Sequence, residues 1–351
     1  MNQIKAMVLT GIREMEMREV PGPEITRPGD VLIRMGVVGV CGSDVHYYTT
    51  GRIGSQVVEY PFMVGHEGAG IVEAVGKGVT AIKPGMRIAI EPAMTCGKCD
   101  QCLAGRVNTC RATRFLGCPG QAEGCLSEFI VMPESCCFPI HDNTTLDQAT
   151  ISEPLAIGVY AVRESIPMNN ARIGILGMGP IGQTVLLPAR HAGAEKIYTS
   201  DRISERCDLA LQFGADYSGN PDKQDIVSEI LEYEPLGLDV VFECCGMQEA
   251  LDQSIELLKP GGLLMLIGIP EFERISFVID KMRRKEITLR NVRRQAHCVQ
   301  EALDLIENGR INVDPMVTHR FPFGETKAAF DLVAGYRDGV LKAMIDIGDV
   351  A

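Results

Sequence analysis

No apolar run in this chain approaches the ~20 residues that a helical membrane crossing needs. The opening stretch, MNQIKAMVLTGIREMEMREV, carries charges where a secretory leader would be apolar. Positive charge is in deficit: 34 Lys and Arg face 46 Asp and Glu, a formal net charge of −12. That balance disfavours nucleic acid and anionic membrane as partners. Internal repeats, low-complexity segments and long charge runs are missing as well. Together these absences predict a soluble, cytoplasmic protein with neither nucleic acid nor membrane as a partner.

What the chain does have is length, glycine and thiol. Its 351 residues suggest two domains, and 46% apolar with 23% charged residues is an ordinary globular balance. Thirteen cysteines is a high and odd count for a chain long enough to build a core without staples. In a reducing compartment such cysteines are metal ligands or buried apolar residues more often than disulfides. Cys96, Cys99, Cys102 and Cys110 stand at C-x2-C-x2-C-x7-C spacing within fifteen residues. That spacing favours a zinc held by four thiolates over a disulfide framework.

The first ~150 residues read as short strands separated by Gly and Pro, with weak helical periodicity. Val31 to Met35, Gly70 to Val75 and Met86 to Ile90 are candidate strands in an irregular β domain. The character changes near Glu153-Pro154, where strand and helix begin to alternate. Strands are predicted at Arg172 to Leu176, Lys196 to Ser200, Leu238 to Phe242 and Leu263 to Ile267. Helices are predicted from Ile181 to about Ala192, Ser204 to Phe213 and Gln248 to Leu258, and Pro188 is expected to kink the first of them. Such alternation makes a doubly wound parallel sheet, an α/β class. The rhythm is lost after about residue 290. One more helix, about Val299 to Asn308, belongs to a tail expected to return to the first domain. The predicted division is 1–154 with 291–351, and 155–290.

Gly177-Met178-Gly179-Pro180-Ile181-Gly182 follows a strand and opens a helix inside a βαβ unit, the context that makes G-x-G-x-x-G a dinucleotide site. The first glycine permits the turn, the second lets backbone approach the pyrophosphate, and the third lets helix and strand pack. The helix N-terminus then faces the phosphates. Asp201, at the end of the next strand, suits the ribose hydroxyls and repels a 2′-phosphate, which favours NAD over NADP. Arg202 softens that preference, and Arg206 is a candidate for covering the adenine or ribose. In the β domain, Cys41, His66 and Glu67 are good zinc ligands, and three protein ligands plus an open position is what catalytic zinc needs.

These features, with Cys41-Gly-Ser-Asp-Val-His46, Gly65-His66-Glu67, Glu153-Pro154-Leu155 and the four-cysteine lobe, occur in the order found in zinc-dependent medium-chain dehydrogenases. The wording CGSDVHYY, GRIG, VGHEGAG, SEPLAIGVYA and VTHRFPF is similar to the sorbitol (L-iditol) and xylitol dehydrogenase branch. The resemblance implies a GroES-like catalytic domain with a Rossmann domain, and oxidation of a sugar alcohol to a ketose by NAD. It implies two zincs per chain, one catalytic and one closed within the four thiolates as a structural ion. Cys41 and His66 would hold the first, with Glu67 or Glu153 as third ligand, and Asp44 would orient His66. Ser43 and His46 would relay the proton, Arg294 would reach the substrate hydroxyls, and Tyr47 would lie over the substrate. Arg293 and Gln295 depart from that branch, as does the segment holding Cys118 and Cys125. Cys244 and Cys245 read as core filler. A homodimer or tetramer is implied, joined through the edge of the nucleotide sheet, which the sequence places at Leu263 to Ile267 and a successor around Ile275 to Val278.

Overall fold

The computed structural model describes residues 3–348. They form two compact units, one of residues 3–153 with 299–348 and the other of 154–298. In the first, the central strand Asp30–Gly39 is buried along almost its whole length, as the near-continuous apolar run VLIRMGVVG requires. Glu67–Val75 pairs with it antiparallel on one side, and Lys342–Asp346 on the other. Arg87–Ile90 and Cys137–Pro139 extend the sheet beyond Glu67–Val75. Val317–Pro322 lies parallel to Lys342–Asp346 and closes the far side. A hairpin, Gln3–Gly11 with Glu14–Pro21, forms a separate two-stranded sheet.

The first unit is not purely β. Gly42–Thr50 is an α-helix that sequence reasoning passed over. Its Tyr, Thr and Gly residues are poor helix formers. Burial supplies what propensity does not: Asp44, Tyr47 and Tyr48 all face inward, and Tyr48 Oη donates to Asp331 at 2.8 Å.

In the second unit six parallel strands lie in the order Tyr217–Gly219, Lys196–Ser200, Arg172–Leu176, Leu238–Glu243, Leu258–Leu266 and Thr288–Asn291. Apolar clusters cover both faces. Leu238–Glu243 sends Val240 and Phe242 into one and Val241 into the other, the two-residue alternation of a pleated strand. The strand order reverses at Arg172–Leu176, which is where doubly wound sheets place their ligands. Thr288–Asn291 is the edge strand, so Leu258–Leu266 is covered, and residues 275–278 form no strand. The predicted edge is corrected on both counts, because the chain turns through Ile279–Lys285 as a helix before pairing again.

Pro188 does not interrupt its helix, Pro180–His191. It deprives the Thr184 carbonyl of its helical donor. That carbonyl instead backs onto Gly158, where a Cβ would stand 1.8 Å from it, so only glycine fits.

Candidate active site

Two antiparallel neighbours assemble the first group of ligands. Gly39 ends its strand opposite Glu67, the first residue of the next. Cys41 lies just past the one strand and His66 just before the other. One ligand atom each from Cys41, His66 and Glu67 therefore lies within 4.8 Å of the others. Gly39 makes room for the carboxylate, since a Cβ there would stand 2.5 Å from Glu67 Oε2.

The Gly42–Thr50 helix begins at Cys41 and places the supporting side chains. Ser43 Oγ donates to Cys41 Sγ at 3.3 Å. Asp44 is fully buried; it accepts the Gly65 N–H at 3.3 Å and faces His66 Nδ1 at 3.2 Å. That contact leaves Nε2 as the nitrogen that could bind a metal. Burial acts to lower the His66 pKa, but the charges of Asp44 and Cys41 outweigh it and hold the ring well above its ordinary value. A metal must displace that proton to bind. Phe115 packs on the imidazole with ring centroids 5.3 Å apart. His46 is half-buried one helical turn beyond Ser43, on the same face, and Tyr47 is buried beside it.

Two more charged groups converge here. Burial pushes the Glu153 carboxyl up to about 8, with His66 pulling the other way. Lys342, from the last strand, is 1% exposed and donates to both oxygens of Glu67, at 2.6 and 2.8 Å, and to Val40 O at 3.2 Å. Burial favours loss of its proton, but Glu67 outweighs that and keeps the ammonium charged. Sequence reasoning missed Lys342; the available signal was a lysine opening the apolar strand KAMID. The donor set of sulfur, nitrogen and oxygen fits zinc. So does the charge, because Asp44 keeps its second oxygen buried with no hydrogen-bond partner among the described residues.

Cys96, Cys99, Cys102 and Cys110 form a second group, with all four sulfurs within 4.8 Å of one another. None of the thirteen cysteines is in a disulfide. Backbone N–H groups of Cys96 and Ala112 donate to Cys110 Sγ at 3.4 Å each. Burial raises the Cys110 pKa, but these donors outweigh it and hold the thiol at about 6. Four sulfurs so arranged fit a closed tetrahedral zinc.

In the second unit the glycine turn leaves Arg172–Leu176 at its C-terminal end. Gly177 has φ +93°, which a side chain would strain. A Cβ on Gly182 would stand 2.0 Å from Gly177 O. Gly179 is the N-cap and Pro180 the first helical residue, followed by Ile181; no side chain caps the helix, so its first N–H groups suit an anion. Asp201 accepts the Met178 N–H at 2.7 Å and the Ile203 N–H at 2.8 Å, one on each oxygen. A carboxylate has about four lone-pair positions, so it retains capacity for a ribose. Arg206 is buried with a guanidinium nitrogen 3.9 Å from Asp201. Arg202 turns away, paired with Asp222 at 3.2 Å and with Glu249. Arg294 lies in the second unit beyond the last strand, with φ +52°, followed by the buried Gln295.

Residues 27–142 match the alcohol dehydrogenase GroES-like domain, and residues 180–308 the zinc-binding dehydrogenase domain. The chain is 33% identical to the sorbitol dehydrogenase of Bacillus subtilis (strain 168) over 343 residues, 97% of each chain. It is 31% identical to L-idonate 5-dehydrogenase of Vitis vinifera, covering 97% of this chain and 93% of that one. A zinc-binding dehydrogenase of Sinorhizobium meliloti 1021, solved with NADP bound, superposes with a TM-score of 0.90 at 31% identity, covering 99% of this chain and 100% of that one.

Proposed function

This chain belongs to the zinc-binding dehydrogenase family, and from that premise we propose that it oxidises a secondary hydroxyl of a sugar alcohol to a ketose with NAD. Sorbitol, xylitol and L-iditol are the model substrates. The observation that carries the reading is the grouping of Cys41, His66 and Glu67 beside Ser43, since three protein ligands are the number that lets a catalytic zinc take a hydroxyl as the fourth. When bound, zinc supplies Lewis acidity toward that hydroxyl, and the nicotinamide supplies the hydride acceptor. Cys41 and His66 hold the ion, with Glu67 as the nearby carboxylate and Lys342 balancing its charge. Glu153 is the alternative third carboxylate for the ion, and Asp44 fixes the imidazole tautomer. Ser43 takes the hydroxyl proton and passes it along its helix face to His46. Tyr47 lies on the substrate side of that helix, and Arg294 is a guanidinium for substrate hydroxyls.

The four-thiolate lobe takes a second, structural zinc. Gly177, Gly179, Pro180, Ile181 and Gly182 receive the pyrophosphate, with Asp201 and Arg206 at the adenosine end. NAD is favoured because Asp201 presents a negative charge and Arg202 is already paired with two acids. Thirteen free thiols suit a reducing compartment, so the cytoplasm is the proposed location. No helix among the described residues is long and apolar enough to cross a membrane. A homodimer or tetramer is proposed, with Thr288–Asn291 as the edge that joins copies.

The L-idonate relative favours a second reading, a sugar acid as substrate. A panel of polyols, sugar acids, threonine and small diols, read by NADH absorbance at alkaline pH, separates the two. Polyols giving the highest kcat/KM supports the proposal. Protein that binds NADH yet turns over no alcohol refutes it.

A further inference from the structure

We propose that Tyr47, Gln56 and Cys118 form a polar subsite that receives hydroxyls of the substrate beyond the carbon being oxidised, an inference that rests on the polyol reading above. Gln56 sits on the short hairpin of Arg52–Ile53 and Gln56–Val57. Its amide N–H donates to Cys118 Sγ at 2.9 Å, and its carbonyl accepts from Tyr47 Oη at 3.2 Å. Tyr47 Oη and Cys118 Sγ are 3.8 Å apart, so the three groups close a triangle.

The triangle is tied at two corners to the segments that carry the metal ligands. Tyr47 stands one helical turn beyond Ser43, which donates to Cys41. Cys118 follows Gly117, where a Cβ would stand 2.7 Å from Gly65 O, next to His66. The same segment carries Phe115, which packs on the His66 ring. The polar triangle therefore lies within the layer that surrounds the candidate zinc centre.

Its chemistry points to hydroxyl recognition. The neighbourhood is apolar, with Val58, Phe62, Leu116 and Leu126 in the same core cluster as Tyr47. An amide in such a setting is costly unless its hydrogen bonds are used. The two named bonds are those the Gln56 side chain makes among the described residues, whereas a primary amide can make about four. One N–H and one lone pair remain on a half-buried side chain that solvent and ligand can reach. A hydroxyl both donates and accepts, so a vicinal diol matches that remainder. Tyr47 and Cys118, at 4% and 2% exposure, form the buried wall of the subsite and hold the amide plane in place.

The test compares a pentitol with pentan-2-ol, which has the reacting hydroxyl and none of the others. In the zinc-loaded enzyme with NAD, Gln56→Leu is expected to lower the ratio of kcat/KM for the pentitol to that for pentan-2-ol roughly five- to tenfold, mostly through KM. Cys118→Ala, which removes the amide's partner, is expected to lower it in the same direction by less, and Cys118→Ser to restore it. A ratio that stays put, or equal losses on both alcohols, overturns the subsite and leaves only packing. Should the wild type prefer another polar alcohol, the polyol reading falls, and the same ratio measured for that alcohol against its deoxy analogue decides the subsite.

Discussion

At Lys342 a full positive charge sits 1% exposed against a carboxylate of equal burial. Removing one partner of such a pair leaves the other charge uncompensated, at a cost of about 3–5 kcal/mol. Lys342→Met is therefore expected to destabilise the metal-free protein by about that much, measured as the urea midpoint in chelator, with a smaller loss when zinc is present. An unshifted midpoint in chelator would remove Lys342 from the charge balance of the centre. Asp201→Ala deletes a carboxylate that also ties the Met178 N–H of the glycine turn. The ratio of kcat/KM for NADP to that for NAD is expected to rise roughly tenfold; no movement in it would displace the ribose assignment. The four thiols and the glycine motif were legible as candidates because metals and phosphates demand particular atoms at short, fixed spacings, whereas Cys41 and the His66-Glu67 pair, in separate segments, were singled out by their combination with the dinucleotide motif and by the family resemblance. Lys342 lies 275 residues from Glu67, and Gln56 lies 62 from Cys118. No local pattern encodes pairings at those separations.

Among the elements, the parallel strands of the second unit were the easiest to read. Four of the six, Arg172–Leu176, Lys196–Ser200, Leu238–Glu243 and Leu258–Leu266, are largely buried and stand out between helical periods, whereas Tyr217–Gly219 and Thr288–Asn291 are short, polar and less buried and were missed. The Gly42–Thr50 helix was not legible, since its stability comes from burying Asp44, Tyr47 and Tyr48 rather than from propensity. Asp216 shows how a loop end pins an element in place. It accepts from Lys196 Nζ and from the Ile197 N–H at 2.9 Å each, and also from Arg190. Burial raises the carboxyl's pKa, but those donors outweigh it and hold it below its ordinary value. A depressed folded pKa gives stability that is full above the unfolded value of about 3.9 and is lost as pH falls through the lower folded value. Asp216→Asn is expected to cost roughly 1–3 kcal/mol at pH 7. The gap from wild type should narrow below about pH 4. Urea midpoints at pH 7 and pH 3 check this, and a constant gap would count against the carboxylate.

For the whole molecule, the two ligand groups predict two zincs per chain with different lability. The thiolate lobe offers four sulfurs and no open position, whereas the Cys41 centre offers three protein ligands. Metal quantitation after brief dialysis against chelator is expected to fall from two zincs to one, with turnover lost at the same step. Cys41→Ser should lose turnover while NADH binding persists, because the nucleotide motif belongs to the other unit. Parallel loss of both would argue against that division of labour. The strand Lys342–Asp346 gives the order of synthesis a consequence. The lobe's four thiols emerge from the ribosome within fifteen residues of one another and can capture a metal while translation continues. The Cys41, His66 and Glu67 group gains its counter-cation only with Lys342, after the whole of the second unit has been made. Its electrostatic balance thus waits on that unit, and a polypeptide cut short before that strand holds Cys41, His66 and Glu67 without the charge that steadies them.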